Sequence, residues 1–189
     1  KLAQKHGEDS YLNGDHTTTL IRTEKGKTIE IQHNVVTPRP YNRMYQVEGT
    51  EGFANKYPNE GFSIRTMGRQ IEGRKDGKAL FENLDGEAYV SKEMRDALMT
   101  EYQHPITREG SLVETARRVG GHGGMDFIMD YRLIYCLRNG LPLDQDVYDA
   151  AEWSCLGELT RVSIENGNIP VAMPDFTRGE WDKTDGLKL

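Results

Sequence analysis

Residues 17–36, TTTLIRTEKGKTIEIQHNVV, decide the fold class of this chain. The first segment, Thr17–Thr23, is rich in β-branched side chains, and a turn at 24–26 separates it from the second segment, Lys27–Val36. A strand places alternate side chains on opposite faces. In the second segment, every second position shares one face: Ile29, Ile31, His33 and Val35. Two such segments joined by a Lys-Gly turn predict an antiparallel hairpin.

Outward from this hairpin, the chain continues as strands and then as helices. Pro38 and Pro40 lack backbone N–H groups and predict a corner after the hairpin. Further strands are predicted at 43–48, 52–57, 62–65 and 79–82. A first helix is predicted at 91–102, with Ser91 as its N-cap, and a second from about 111. Two more helices are predicted at 125–138 and from Asp144 to about 166. A short strand or extended arm follows at 170–176. Strands first, helices last and no βαβ alternation predict an α+β fold, with a mainly antiparallel sheet covered on one face by helices.

Length and charge narrow the class of protein. The chain has 189 residues and a formal charge of −6, which suits one domain. The acidic balance argues against a nucleic-acid partner, since binding phosphates needs a basic face. Apolar runs fall short of the roughly 20 residues that span a bilayer, so we expect no membrane partner.

Two cysteines, Cys136 and Cys155, are too few for a four-ligand zinc site and are predicted to be buried thiols on helices.

Three polar clusters remain as candidate sites. They are Gly14-Asp15-His16, the corner 38–43 (PRPYNR), and 122–126 (HGGMD). Imidazole, guanidinium and phenol groups suit a sugar or another small polar metabolite. Each cluster also has a structural explanation: a histidine that ends a strand, a tyrosine that packs a corner, or a pair that caps a helix. The glycines at 120–124 follow a helical segment and lack the GxGxxG order of a dinucleotide loop.

Two stretches carry a resemblance to a known family. GKTIEIQHNVVTPRPYNR (26–43) and HGGMDFIMDYRLIYCLRNGLPLDQDVYDAA (122–151) resemble the C-terminal part of glycoside hydrolase family 109. That family holds NAD-dependent α-N-acetylgalactosaminidases and belongs to the Gfo/Idh/MocA superfamily of oxidoreductases. The resemblance implies that residues 1–189 are an incomplete C-terminal substrate-binding and oligomerisation domain.

The resemblance also implies where the site residues lie. The chain opens with KLAQKHGEDS, so we expect the NAD-binding Rossmann domain, the catalytic residues and any targeting signal to precede Lys1. No cofactor-binding or metal-binding residue is expected within the chain. By motif, the family's substrate-contacting tyrosine falls on Tyr41, and we assign Arg39 and His16 as further substrate-binding residues. At the position of His16 the family more often has Asn.

The implied reaction is redox-assisted cleavage of an N-acetylgalactosaminide-like glycoside. NAD would oxidise the sugar at C3, a Tyr- or His-type base would remove the C2 proton, elimination would expel the group at C1, and water and hydride would then add. Two alternatives stay open: a sugar or cyclitol dehydrogenase with net NADH production, and a homo-oligomerisation module that uses the open sheet face. The compartment of this bacterial-type protein also stays open: cytoplasmic, periplasmic or secreted. We expect the isolated chain to be inactive and not to bind NAD.

Overall fold

The computed structural model contains short antiparallel strands and four helices among the residues it describes. Those residues are Gly7, 14–66, 71–75, 78–82, 85–108, 110 and 112–183. The strands are β1 His16–Arg22, β2 Thr28–Asn34, β3 Gln46–Glu48, β4 Gly52–Asn55, β5 Gly61–Ile64, β6 Ile71–Lys75 and β7 Lys78–Glu82. The helices are α1 Lys92–Glu101, α2 Leu112–Val119, α3 Met125–Asn139 and α4 Val147–Glu165. The predicted α+β class is confirmed. The strands form three sheets, in the orders β1-β2, β3-β4-β5 and β6-β7.

The chain divides into two compact units, Lys1–Pro40 with Asp144–Leu189, and Tyr41–Leu143. In the first unit, β1 and β2 form the predicted hairpin, with Thr19 opposite Ile31. Opposed residues of an antiparallel pair share a face, so Thr19 lies on the same face as the predicted apolar row. Thr19 Oγ1 lies 2.9 Å from Thr160 Oγ1 of α4. Helix α4 therefore contacts the predicted apolar face at Thr19, while Ile29 and Ile31 of that face stay 46% and 37% exposed.

Helix α4 begins later than the sequence predicted. Asp146 is its N-cap, and its carboxylate accepts hydrogen bonds from the backbone N–H groups of Tyr148 and Asp149. The Asp149 carboxylate accepts in return from the backbone N–H of Asp146 at 2.8 Å, which completes a capping box. The predicted start at Asp144 is wrong because Asp146 caps the first turn from outside the helix. After α4, residues 170–175 form neither a strand nor a helix.

In the second unit, α1 packs against the β6-β7 hairpin. Ser91 is the N-cap, as predicted, and its side chain accepts from Met94 N at 3.1 Å. Met94 and Ala97 are fully buried. A Cβ added at Gly73 of β6 would lie 2.8 Å from Met94 Sδ and 3.0 Å from Ala97 Cβ. A glycine at this position of β6 thus allows the helix to lie directly on the strand backbone.

Helices α2 and α3 contact each other, and each buries small side chains. Val113 and Ala116 of α2 are buried, and on α3 Cys136 is 1% exposed. Gly140 ends α3 in the left-handed conformation that the Asn139-Gly140 pair predicted. The prediction of a buried thiol is confirmed for Cys136 and wrong for Cys155, which is partly exposed on α4. In the described part of the chain, none of the helices has the length and apolar character to cross a membrane.

Candidate active site

The loop between α2 and α3, residues Gly120–Gly124, has positive φ angles at five consecutive positions. They are 98° at Gly120, 76° at Gly121, 47° at His122, 73° at Gly123 and 102° at Gly124. Glycine adopts such angles readily, whereas residues with a Cβ seldom do. His122 is the one member of the five with a side chain. The loop therefore holds a single imidazole on a left-handed backbone, the kind of conformation that clusters at functional sites.

His122 is paired with Asp126, one helical turn further on. His122 Nδ1 lies 3.1 Å from Asp126 Oδ1 and 3.0 Å from Asp126 Oδ2. A Cβ added at Gly121 would lie 2.8 Å from Asp126 Oδ2, so glycine at this position leaves room for the carboxylate. Because a carboxylate only accepts hydrogen bonds, Nδ1 carries the proton in the neutral ring. The His122 side chain is 77% exposed, and its Nε2 has no hydrogen-bond partner among the described residues.

This geometry suits proton transfer at His122 Nε2. A carboxylate at Nδ1 fixes the tautomer, so Nε2 is the ring nitrogen that can accept a proton. Neither side chain makes a cap hydrogen bond to α3, whose N-cap is Gly124, although Asp126 lies in the first turn, where a carboxylate stabilises the helix. The sequence singled out this cluster but not its pairing. The features of the sequence that indicate the pairing are the spacing of four residues between His122 and Asp126 and the surrounding glycines. One of these, Gly121, leaves room for the carboxylate.

Tyr41, the predicted sugar-contacting residue, belongs to a cluster of phenols around Arg43. The Tyr41 side chain is 68% exposed. Arg43 Nε donates a hydrogen bond to its hydroxyl, and the guanidinium carbon lies 5.5 Å from the centre of its ring. The ring of Tyr57 meets that of Tyr41 edge to face, with centroids 5.9 Å apart. Hydrogen bonds with the hydroxyls of Tyr45 and Tyr41 raise the pKa of the Arg43 guanidinium above its ordinary value. The cluster orients an exposed phenol whose O–H is available to a ligand.

His16 and Arg39, the other predicted substrate-binding residues, belong to the first unit, whereas Tyr41 belongs to the second. Asn34 Nδ2 donates to His16 Nδ1 at 3.0 Å, and His16 Nε2 lies 3.3 Å from Thr18 Oγ1. Both ring nitrogens of His16 thus have partners within the hairpin. Arg39 is exposed and has no side-chain partner among the described residues. The assignment of both residues to a substrate site stays a prediction.

The loop Gly120–Gly124 does not have the surroundings of a dinucleotide-binding loop. The loop Gly120–Gly124 follows helix α2, whereas a dinucleotide loop follows a parallel strand and opens a helix within a βαβ unit. Every strand pair in the described ranges is antiparallel. These residues also contain no group of three or more His, Cys, Asp or Glu side chains placed to hold a metal ion.

The comparisons with known proteins all identify the same family. The family model described as "Glycosyl hydrolase 109, C-terminal domain" matches residues 2–183. The chain is 60% identical over 186 residues to Glycosyl hydrolase family 109 protein 1 of Phocaeicola vulgatus, covering 98% of this chain and 38% of the relative. It is 62% identical over 189 residues to a Glycosyl hydrolase family 109 protein of Porphyromonas gingivalis, covering 99% and 39%. For protein 1 of Bacteroides thetaiotaomicron the identity is 59% over 178 residues, covering 94% and 37%. The chain thus spans less than two fifths of these relatives.

Proposed function

This chain belongs to glycosyl hydrolase family 109 through the family's C-terminal domain, and we propose that it supplies substrate-binding and acid–base groups for the cleavage of N-acetylgalactosaminide-like glycosides. Family membership supports the glycosidase class. The choice of sugar, the reaction course and the cofactor go further and are parts of the proposal.

The observation that carries this function is the pairing of His122 with Asp126. Cleavage of a glycosidic bond needs a proton for the leaving oxygen and a group that removes one from water or from the sugar. His122 Nε2 faces solvent, and Oδ2 of Asp126 lies 3.0 Å from Nδ1 on the other side of the ring. We assign His122 as the acid–base group and Asp126 as the residue that orients it. This chain would then contribute a catalytic group of its own, in addition to those expected upstream of Lys1.

Tyr41 is assigned to substrate binding. Its hydroxyl accepts a hydrogen bond from Arg43 Nε, which leaves the phenolic proton to be donated to a sugar oxygen. Its exposed ring can also lie against the C–H face of a pyranose, since the ring face carries negative charge density. Arg39 and His16 are kept as proposed sugar contacts, independently of Tyr41.

NAD dependence rests on the resemblance to the family, and we propose that NAD is held by the portion of a longer polypeptide outside this chain. The relatives are long enough to contain such a portion, because the matched segment is only 37–39% of their length. The chemistry that NAD supplies is the removal and return of a hydride at the sugar.

Self-association through the open face of the first hairpin is the remaining part of the proposal. Leu20 of β1 lies opposite Glu30, on the face that is not shared with Thr19, and it is 70% exposed. This part rests on the resemblance to the family, and Leu20 is the one large apolar side chain that the hairpin places on this face. Light scattering of the chain and of Leu20→Glu tests it. A wild-type mass that is already monomeric at high concentration excludes this contact.

The decisive experiment measures hydrolysis and NADH together. The chain replaces the matching segment of the Phocaeicola vulgatus relative, and this chimera is assayed with a nitrophenyl N-acetyl-α-galactosaminide. We expect release of nitrophenol without stoichiometric NADH. NADH formation without nitrophenol would identify a dehydrogenase instead. The isolated chain is the control: we expect it to release no nitrophenol and to show no binding of NAD by calorimetry.

A further inference from the structure

A cavity of about 430 Å³ lies in the second unit, at the turn between β3 and β4. Its lining includes Phe53, Ser63, Arg65, Glu87 and Tyr89. The volume is within the roughly 300–1,000 Å³ range of small-molecule sites and has room for one or two sugar rings. None of the residues assigned above to the glycosidase site lines it.

The backbone around this cavity is fixed by hydrogen bonds on both sides of β5. Arg65 N donates to Glu51 O at 2.8 Å on one side. On the other side, Val90 N donates to Phe62 O at 2.9 Å, and Arg65 forms an antiparallel bridge with Asp85. The cavity walls are therefore held in place before any ligand binds, which lowers the entropic cost of binding.

Two aromatic rings form the apolar part of the cavity. The centroids of Phe53 and Tyr89 lie 6.4 Å apart, with an angle of 51° between the rings. The Tyr89 hydroxyl donates to Asn55 Oδ1 at 3.1 Å. A Cβ added at Gly61 would lie 2.7 Å from Tyr89 Cδ1, so the ring rests directly on the β5 backbone. Tyr89 is thus held from two directions while half of it stays exposed, and its free face can stack on the C–H groups of a sugar.

The polar part of the cavity is acidic. The lining residues include three glutamates, Glu48, Glu51 and Glu87, and one arginine, Arg65. Carboxylates accept hydrogen bonds from sugar hydroxyls and attract an ammonium group. The same charges repel sulfated sugars and uronic acids. The lining therefore combines an aromatic surface, several hydrogen-bond acceptors and a negative charge.

From these features we infer that the cavity is an accessory carbohydrate-binding site for a neutral or amine-bearing pyranose, and that it selects against acidic sugars. The site is separate from the His122–Asp126 pair and does not depend on the proposed hydrolysis. It would hold a glycan by a sugar unit that is not cleaved.

The test is a titration of the isolated chain, labelled with nitrogen-15, with glucosamine, glucose and glucuronate. We expect saturable shifts of the backbone amides of Gly52, Ser63, Gly86 and Tyr89. Glucosamine should bind with a dissociation constant of roughly millimolar, about tenfold tighter than glucose, and glucuronate should not bind. Methylammonium serves as the probe for the charge alone. Equal binding of methylammonium and glucosamine would overturn the assignment, as would shifts confined to other residues or a preference for glucuronate.

Variants separate the two parts of the cavity. Tyr89→Ala should weaken glucosamine binding by about tenfold or more, whereas Tyr102→Ala, which removes an exposed tyrosine outside the cavity, should leave it unchanged. Glu87→Gln keeps the shape and should reduce the preference for glucosamine over glucose by roughly threefold. Tyr89→Phe retains the ring and should retain binding, which covers the case in which Tyr89→Ala does not fold. Unchanged affinity and preference in Glu87→Gln, or lost binding in Tyr102→Ala, would contradict the assignment.

Discussion

His122 Nδ1, in the loop before α3, lies 3.0 Å from Oδ2 of Asp126 in the first turn of that helix, while Nε2 faces solvent. An imidazole held in this way is ready to exchange a proton at Nε2. The pair therefore provides the most direct test of the proposed chemistry.

His122→Gln in the chimeric enzyme should lower kcat/KM by roughly a hundredfold or more, which is the usual contribution of an acid–base group. Asp126→Asn should lower it by about tenfold or more, because the amide no longer selects the productive tautomer. Asp130→Asn, one turn further along α3, is the matched control and should retain wild-type rates. Equal losses in Asp126→Asn and Asp130→Asn would show that helix charge, not orientation of His122, is responsible.

Tyr41→Phe should lower kcat/KM of the same enzyme by about tenfold to a hundredfold, corresponding to about 1.4–2.7 kcal/mol for one lost hydrogen bond. The melting temperature should hardly change, since the ring is kept and the side chain is exposed. Tyr45→Phe removes the other phenol oxygen that faces Arg43 and should stay within about threefold of wild type. A Phe variant near wild type beside an inactive Tyr41→Ala would indicate stacking alone. A lower melting temperature with unchanged kinetics would instead assign Tyr41 to packing of the corner.

Two neighbouring glycines separate backbone strain from steric overlap. Gly123 has a φ of 73° and no atom within 4 Å of an added Cβ, so Gly123→Ala should cost about 1–2 kcal/mol of unfolding free energy. Gly124 has a φ of 102°, and its Cβ would lie 2.8 Å from the backbone carbon of Ala116. Gly124→Ala should therefore cost about 1–3 kcal/mol more. Urea denaturation measures both variants, and equal losses would rule out close packing of the loop against α2.

The two thiols should differ in reactivity. Cys136 is buried, whereas Cys155 is partly exposed and its thiol donates to Glu152 O at 3.1 Å. An aromatic disulfide reagent should label one thiol of the native chain rapidly and the second only as the chain unfolds. Cys155→Ser should abolish the rapid phase. A rapid phase that survives in this variant would place Cys136 at an accessible position.

The sequence predicted the elements whose cause is local. Alternation in β2 predicted which residues of the hairpin share the face that contacts α4 at Thr19, and Ser91 predicted the start of α1, because periodicity and caps depend on neighbouring residues. The start of α4 was placed too early, since acidic residues favour a helix N-terminus both inside and outside its first turn. Exposure of Cys155 depends on tertiary packing, which a single helical pattern does not contain.

For the candidate site too, the sequence predicted some features and not others. Tyr41 was singled out from its proline-flanked segment, and the structure adds the contact with Arg43 that orients its hydroxyl. The pairing of His122 with Asp126 depends on left-handed backbone angles at Gly121 and its neighbours. Glycine permits those angles without requiring them, so the glycines alone did not predict how the imidazole would be held.

The left-handed loop Gly120–Gly124 has a consequence for how this gene tolerates change. Every missense change in a glycine codon adds a side chain, and at these four glycines each added Cβ meets an unfavourable backbone angle. At Gly121 it also meets the carboxylate of Asp126, and at Gly124 the backbone of α2. Few missense changes in these four glycine codons should therefore be neutral, and genetic drift should seldom fix one.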